Sequence, residues 1–170
     1  MDKEIVFSER QRFKQWWLWF ILLGVNGLFL FGVFIQVIEK QQFGDKPMSD
    51  AGLLIVTALF ILFTILFLNF RLETQIKKDG IYVRFFPFHL KFRKYEWREI
   101  SKCHVRQYRP ISEYGGWGLR GFGKNKAINI SGNKGLQLEF VDKRKILVGT
   151  NNPKELEDAL IKIGQIKELQ

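Results

Sequence analysis

Trp16 to Ile38 runs for 23 residues without one charged side chain, as WWLWFILLGVNGLFLFGVFIQVI. At about 1.5 Å per residue, a helix of that length outreaches the roughly 30 Å of bilayer hydrocarbon. A second uncharged run covers residues 51–70, with Leu53 to Leu68 as its apolar heart. A soluble domain has no use for a helix that is apolar on every face. Both runs therefore read as transmembrane helices, about 16–38 and 51–70, joined by an external loop over 39–50.

The first run does not read as a cleaved signal peptide. It is longer than the usual apolar region of about 7–15 residues, and its end, Gly32 to Lys40 (GVFIQVIEK), offers no small-residue cleavage site. Cations set the expected orientation. Lys3, Arg10, Arg12 and Lys14 precede the first span, and Arg71, Lys77, Lys78 and Arg84 follow the second, while the loop carries only Lys40 and Lys46. Both termini are then expected in the cytoplasm of an inner-membrane, multi-pass protein, with Trp16, Trp17 and Trp19 at the inner interface. Asn26 sits mid-span, and its amide calls for a partner such as Thr57 or Thr64 on the second span. Gly24 and Gly27 should let the two backbones approach closely. The expected neighbours of this hairpin are membrane lipids, and the sequence leaves a homo-oligomer open.

Charge divides the chain in the same way. The first 50 residues balance six cations against six acids, whereas 71–170 carry 21 Lys and Arg against 11 Asp and Glu. The net charge of +10 thus belongs to the C-terminal part. Basic groups beside anionic lipid gain roughly 1 kcal/mol each, but positive-inside topology alone also accounts for the excess. The single cysteine, Cys103, excludes an internal disulfide, and two separated histidines, His89 and His104, make no metal cluster.

From Leu72 the pattern changes to alternation. Leu72, Thr74 and Ile76 share a face, Asp79-Gly80 marks a hairpin, and Ile81, Val83 and Phe85 alternate with Tyr82, Arg84 and Phe86. Further strands are expected near 91–97 and over 101–108, with Cys103 and Val105 inward and His104, Arg106 and Tyr108 outward. KAINIS, LQLEF and ILV supply the later ones. Asn152-Pro153 with Glu155 reads as a capped helix start, followed by Leu156, Ala159, Leu160 and Ile163 at helical spacing and a stop at Gly164. The expectation is an α+β membrane protein. Residues 1–15 form a cytoplasmic N-terminal segment, 16–70 the hairpin, and 71–170 a mostly antiparallel seven-stranded barrel capped by a C-terminal helix.

GGWGLR, AINISGNKGLQLEF and GTNNPKELEDAL, together with the two-span layout, resemble bacterial membrane-anchored proteins with a pleckstrin-homology-like (PH-like) C-terminal domain. The resemblance implies a PH-like fold and says little about ligand. Phosphoinositide-binding PH domains place basic residues across their first hairpin. Here Lys77, Lys78 and Arg84 flank Asp79-Gly80, a tight turn that carries an acid and departs from that pattern.

YGGWGLRGFGKNKAINISGNKG spells G-x-G-x-x-G and G-x-x-x-x-G-K in overlap. Neither is a nucleotide loop, since such loops need an apolar strand before and a helix after. No triad, HExxH or carboxylate pair points to an enzyme, and no cofactor is implied. A membrane anchor argues against nucleic acid. The remaining candidate is a surface of Trp117 and Arg120 with Lys124 and Lys126. On this reading the chain is a non-catalytic adaptor for a protein partner, or a reader of anionic lipid headgroups, unless Trp117 merely packs the barrel end.

Overall fold

The computed structural model describes residues 4–166. The chain divides into two units, one over residues 14–69 and one assembled from the segments on either side.

In the first unit, α1 (Trp16–Val33) continues into a π-helical turn (Phe34–Ile38), and α2 (Asp50–Asn69) runs back against it. Both helices are long and apolar enough to cross a membrane. Their contact face carries Leu22 and Asn26 on α1 and Leu53 and Thr57 on α2, while Gly32 is buried against the loop that follows. Asn26 Nδ2 donates to Thr64 Oγ1 at 2.7 Å and to the Leu22 carbonyl at 2.6 Å. Thr57 instead donates to the Leu53 carbonyl of its own helix at 2.7 Å. Gly24 and Gly27 do not mediate close approach, because a Cβ on either would meet nothing within 4 Å. Each is turned by 100° or more from the Leu22–Asn26 face at about 3.6 residues per turn. Close packing falls at Gly32, where a Cβ would lie 2.8 Å from the Phe43 ring.

The second unit holds two sheets. β1 (Ile5–Arg12), β2 (Arg71–Lys77), β3 (Gly80–Phe86) and β4 (Arg93–Glu96) form the first, in that order. The second contains β5 (Ile100–Gln107), β6 (Gly118–Phe122), β7 (Asn125–Asn129), β8 (Lys134–Phe140) and β9 (Lys145–Gly149), in the order β5-β8-β9-β7-β6. β7 and β9 pair in parallel, and every other pair is antiparallel. A short helix, α3 (Pro110–Tyr114), precedes β6, where the sequence showed none. The expected seven-stranded closed barrel is therefore corrected to nine strands in two sheets. No strand of one sheet pairs with a strand of the other among the described residues.

Alternation builds the core between the sheets. Leu72, Ile76, Ile81, Val83 and Phe85 are buried, and Tyr95 of β4 meets Phe140 of β8 edge-on at 5.5 Å. The second sheet is covered on its other face as well, where Tyr108, Tyr114, Ala127 and Leu147 cluster. Tyr108, expected outward, is only 2% exposed. β5 ends at Gln107, so the strand alternation stops before Tyr108. Its hydroxyl accepts from Asn129 Nδ2 at 2.9 Å, and Asn129 Oδ1 accepts from the Gly118 N–H at 2.9 Å. Cys103, expected inward, shares the face of its buried partner Leu138 and is half-buried.

The final helix, α4 (Pro153–Lys162), buries Leu156, Ala159 and Leu160 against β1, β5 and β8. Asn152 holds the N-cap position but gives no side-chain cap; Thr150 Oγ1 accepts from its N–H at 3.1 Å instead. Gly164, at φ +74°, ends the helix, with the Gln165 N–H closing onto the Leu160 carbonyl at 2.9 Å. β1 and β5 are edge strands, and α4 lies over that side. The opposite side, between the edge strands β4 and β6, has no such helix over it among the described residues.

Candidate anion-binding cleft

β6 and β7 form the hairpin that carries the glycine-rich stretch. Gly121 sits at φ +89° opposite Lys126. A Cβ there would strike the Asn125 carbonyl oxygen and come within 2.9 Å of Lys126 Cα. Glycine is thus needed for a close crossing of two backbones. Strands lie on both sides of Lys124, so the phosphate-loop spelling has neither the buried strand nor the helix it requires.

A cleft of about 660 Å³ opens between β4 and this hairpin. β4 contributes Arg93 and Lys94, and β6 contributes Arg120. Lys124 lies in the β6–β7 turn, and Lys126 opens β7. Lys145 starts β9 and Arg144 directly precedes it, both brought alongside by the parallel pairing of β9 with β7. His89, from the loop before β4, completes the polar wall, while Tyr95, Ile128 and Ile146 form an apolar floor. Among the described residues, seven permanent cations line the space and no carboxylate does.

Not all seven are equally available. Lys94 bridges Asp79 and Glu96, each at 3.0 Å, and those bonds hold its ammonium above the usual lysine range. Arg144 is paired with Asp142, and Lys145 lies 3.5 Å from Glu139. Arg120 donates through Nε to the Trp117 carbonyl at 2.8 Å and makes no ion pair among the described residues. Lys124 and Lys126 likewise make no ion pair among the described residues, although Lys124 lies close enough to Asp142 to stabilise its charge, and both are exposed. His89 is 7% exposed, and burial, with Arg93 beside it, holds its imidazole below the ordinary histidine range. At neutral pH it is an uncharged wall. Burial likewise pushes the Tyr95 phenol up.

Three of the residues singled out from sequence, Arg120, Lys124 and Lys126, converge on this cleft. Trp117 does not line it. Its ring is half-buried, and Nε1 donates to the Gly132 carbonyl at 3.0 Å, tying the start of β6 to the β7–β8 turn. Arg93, Lys94, Arg144, Lys145 and His89 were not singled out. Only the strand order brings them together, and no local spacing announces it. Asn26, Thr57 and Thr64 lie in the helical unit.

Chemically, the cleft offers cations from four strands and two turns around an apolar floor. That arrangement suits a compact polyanion with some apolar surface. Guanidinium forks engage phosphate oxygens in pairs, and ammonium groups add point charge.

Comparison with protein-family models matches residues 2–165 to a Family of unknown function (DUF6141), and the chain belongs to that family. No curated protein and no solved structure matches it.

Proposed function

We propose that this DUF6141 chain is a non-catalytic, membrane-tethered PH-like adaptor whose cleft recognises a phosphate-bearing group at the bilayer surface. The observation that carries the reading is the ring of seven cations, without a carboxylate, around about 660 Å³ of open space. That volume lies in the range of small-ligand sites, roughly 300–1,000 Å³. Two sheets with a C-terminal helix over one open side support the PH-like comparison. Of the two partners considered from sequence, a protein and an anionic headgroup, the cleft favours the headgroup chemistry. The Trp117 indole, the intended protein anchor, is half-buried and already hydrogen-bonded.

Tethering follows from chain connections. β1 precedes α1 and β2 follows α2, yet the two strands pair, with Arg12 opposite Arg71. Both ends of the hairpin must then lie on one side of any membrane it spans. Three residues separate β1 from α1, and Phe70 alone separates α2 from β2. A three-residue link reaches only about 10 Å. The cation bias of the flanks supports the cytoplasmic side for both termini.

The test uses the full chain in phosphatidylcholine nanodiscs, titrated with inorganic phosphate and followed by the phosphorus resonance. Saturable binding that weakens with salt, and that Lys124→Glu with Lys126→Glu abolishes, is the expected result. Phosphatidylglycerol in the discs should compete if the natural source is a lipid; failure to compete marks a soluble phosphate ester. Absence of binding to both overturns the reading.

A further inference from the structure

We propose that the loop between β3 and β4 enters the headgroup–acyl boundary of the bilayer, with Phe88 and Leu90 as the inserted side chains. The inference rests on the membrane reading above and deepens it, because it makes a lipid the source of the cleft's ligand.

Phe88 and Leu90 are 64% and 72% exposed, among the most exposed apolar residues of the sheet unit. His89 between them is buried and lines the cleft. The loop therefore sends two apolar side chains outward and one imidazole inward. It is held in place, since the His89 N–H donates to the Phe85 carbonyl at 2.8 Å. The Phe88 ring stacks on Phe70 at 5.7 Å and on Phe85 at 5.9 Å.

Phe70 identifies what covers this patch. It follows directly on α2, so Phe88 rests on the first residue after the apolar helix. Phe13, three residues before α1 begins, meets the same Phe70 ring edge-on at 6.1 Å. The exposed Phe88 ring thus rests on a largely buried aromatic cluster that includes residues close to both points where the chain passes into its apolar segments. Cations frame it as an interface requires. Arg71 lies over the Phe86 ring at 4.5 Å, Arg84 over the Phe92 ring at 4.5 Å, and Lys91 is exposed. Apolar groups below and cations at phosphate height are the pattern of an interfacial anchor. Val141 is as exposed, at 71%, but lies in the turn after β8, away from this surface.

The experiment places a nitroxide at one position of the full chain. Cys103 is the only cysteine, so Cys103→Ser gives a clean background for Leu90→Cys, Phe88→Cys or Val141→Cys. Each labelled chain is reconstituted in vesicles of phosphatidylcholine and phosphatidylglycerol. Collisions with oxygen and with a water-soluble nickel chelate are then compared. Oxygen should dominate at 88 and 90 and the chelate at 141, so that the ratio reverses between the two sites. Equal access of the chelate to 90 and 141 overturns the proposal, and so does shielding of 90 from both reagents, which means packing against protein. Inorganic phosphate binding in the same vesicles reports on the cleft separately. A chelate-accessible loop with phosphate binding intact removes this inference alone. A lipid-facing loop without phosphate binding removes the cleft reading alone.

Discussion

Glu9 and Thr150 are 141 residues apart in sequence, yet the Thr150 hydroxyl donates to Glu9 Oε2 at 2.6 Å. The Asn151 N–H donates to the other carboxylate oxygen at 2.8 Å, and Gln11 Nε2 donates to the Gly149 carbonyl at 2.7 Å. Two polar side chains of β1, both buried, thereby clasp the end of β9. Glu9→Ala leaves buried donors without an acceptor, at a cost of roughly 1–3 kcal/mol. A fall in the melting temperature of the sheet unit, read by circular dichroism on the full chain in detergent, is expected.

The same clasp predicts that residues 71–170 alone fold poorly, since they lack β1 and with it one edge of the first sheet. Because Arg12 faces Arg71, a short glycine-rich turn can stand in for residues 14–69. That shortened chain should be soluble and show dispersed amide resonances, while 71–170 should not. A well-dispersed spectrum from 71–170 alone would show that β1 is dispensable.

β1 was the part of the fold hardest to see in sequence, and its chemistry explains why. Its buried face is Phe7, Glu9 and Gln11, so the hydrophobic alternation lapses after one residue. The long apolar runs, the Asp79-Gly80 hairpin and the Leu156–Ala159–Leu160 stripe were legible because each is specified locally. The cleft was half legible. Arg120, Lys124 and Lys126 belong to one hairpin, but Arg93 and Arg144 reach it only through sheet order and the parallel β7–β9 pairing.

Asn129 is fully buried, and Tyr108 is its acceptor. Tyr108→Phe keeps the ring in its cluster but strands an amide donor. The expected loss is about 1–3 kcal/mol. Asn129→Leu would strand both the Gly118 N–H and the Tyr108 hydroxyl and should cost at least as much. Urea unfolding of the shortened chain ranks the two variants, and equal stability of Tyr108→Phe and the parent would refute the role assigned to this pair.

Acid should weaken the sheet unit through its histidines. Burial holds both His89 and His104 below the ordinary value of 6.5. The unfolded chain then binds protons that the folded chain refuses, so stability is intact above pH 6.5 and is lost as pH falls through 6.5 toward the folded values. His89→Gln should flatten that decline in part, and adding His104→Gln should flatten it further. A decline of unchanged slope in the double variant would assign the acid sensitivity to carboxylates instead.

The cleft's cations should not contribute equally to anion affinity. Lys124 and Lys126 form no ion pair among the described residues, so each can turn to an incoming phosphate. Removing either should cost about 1 kcal/mol, or roughly fivefold in Kd. Lys94 already holds Asp79 and Glu96, and turning to a ligand would mean leaving both. Lys94→Gln should therefore change phosphate affinity little, although it removes the same formal charge. This ordering separates a built site from a diffuse positive field, in which every cation would count alike. Phosphate titrations of Lys94→Gln, Lys124→Gln and Lys126→Gln at one ionic strength make the comparison. Equal losses in all three would reduce the cleft to general electrostatics.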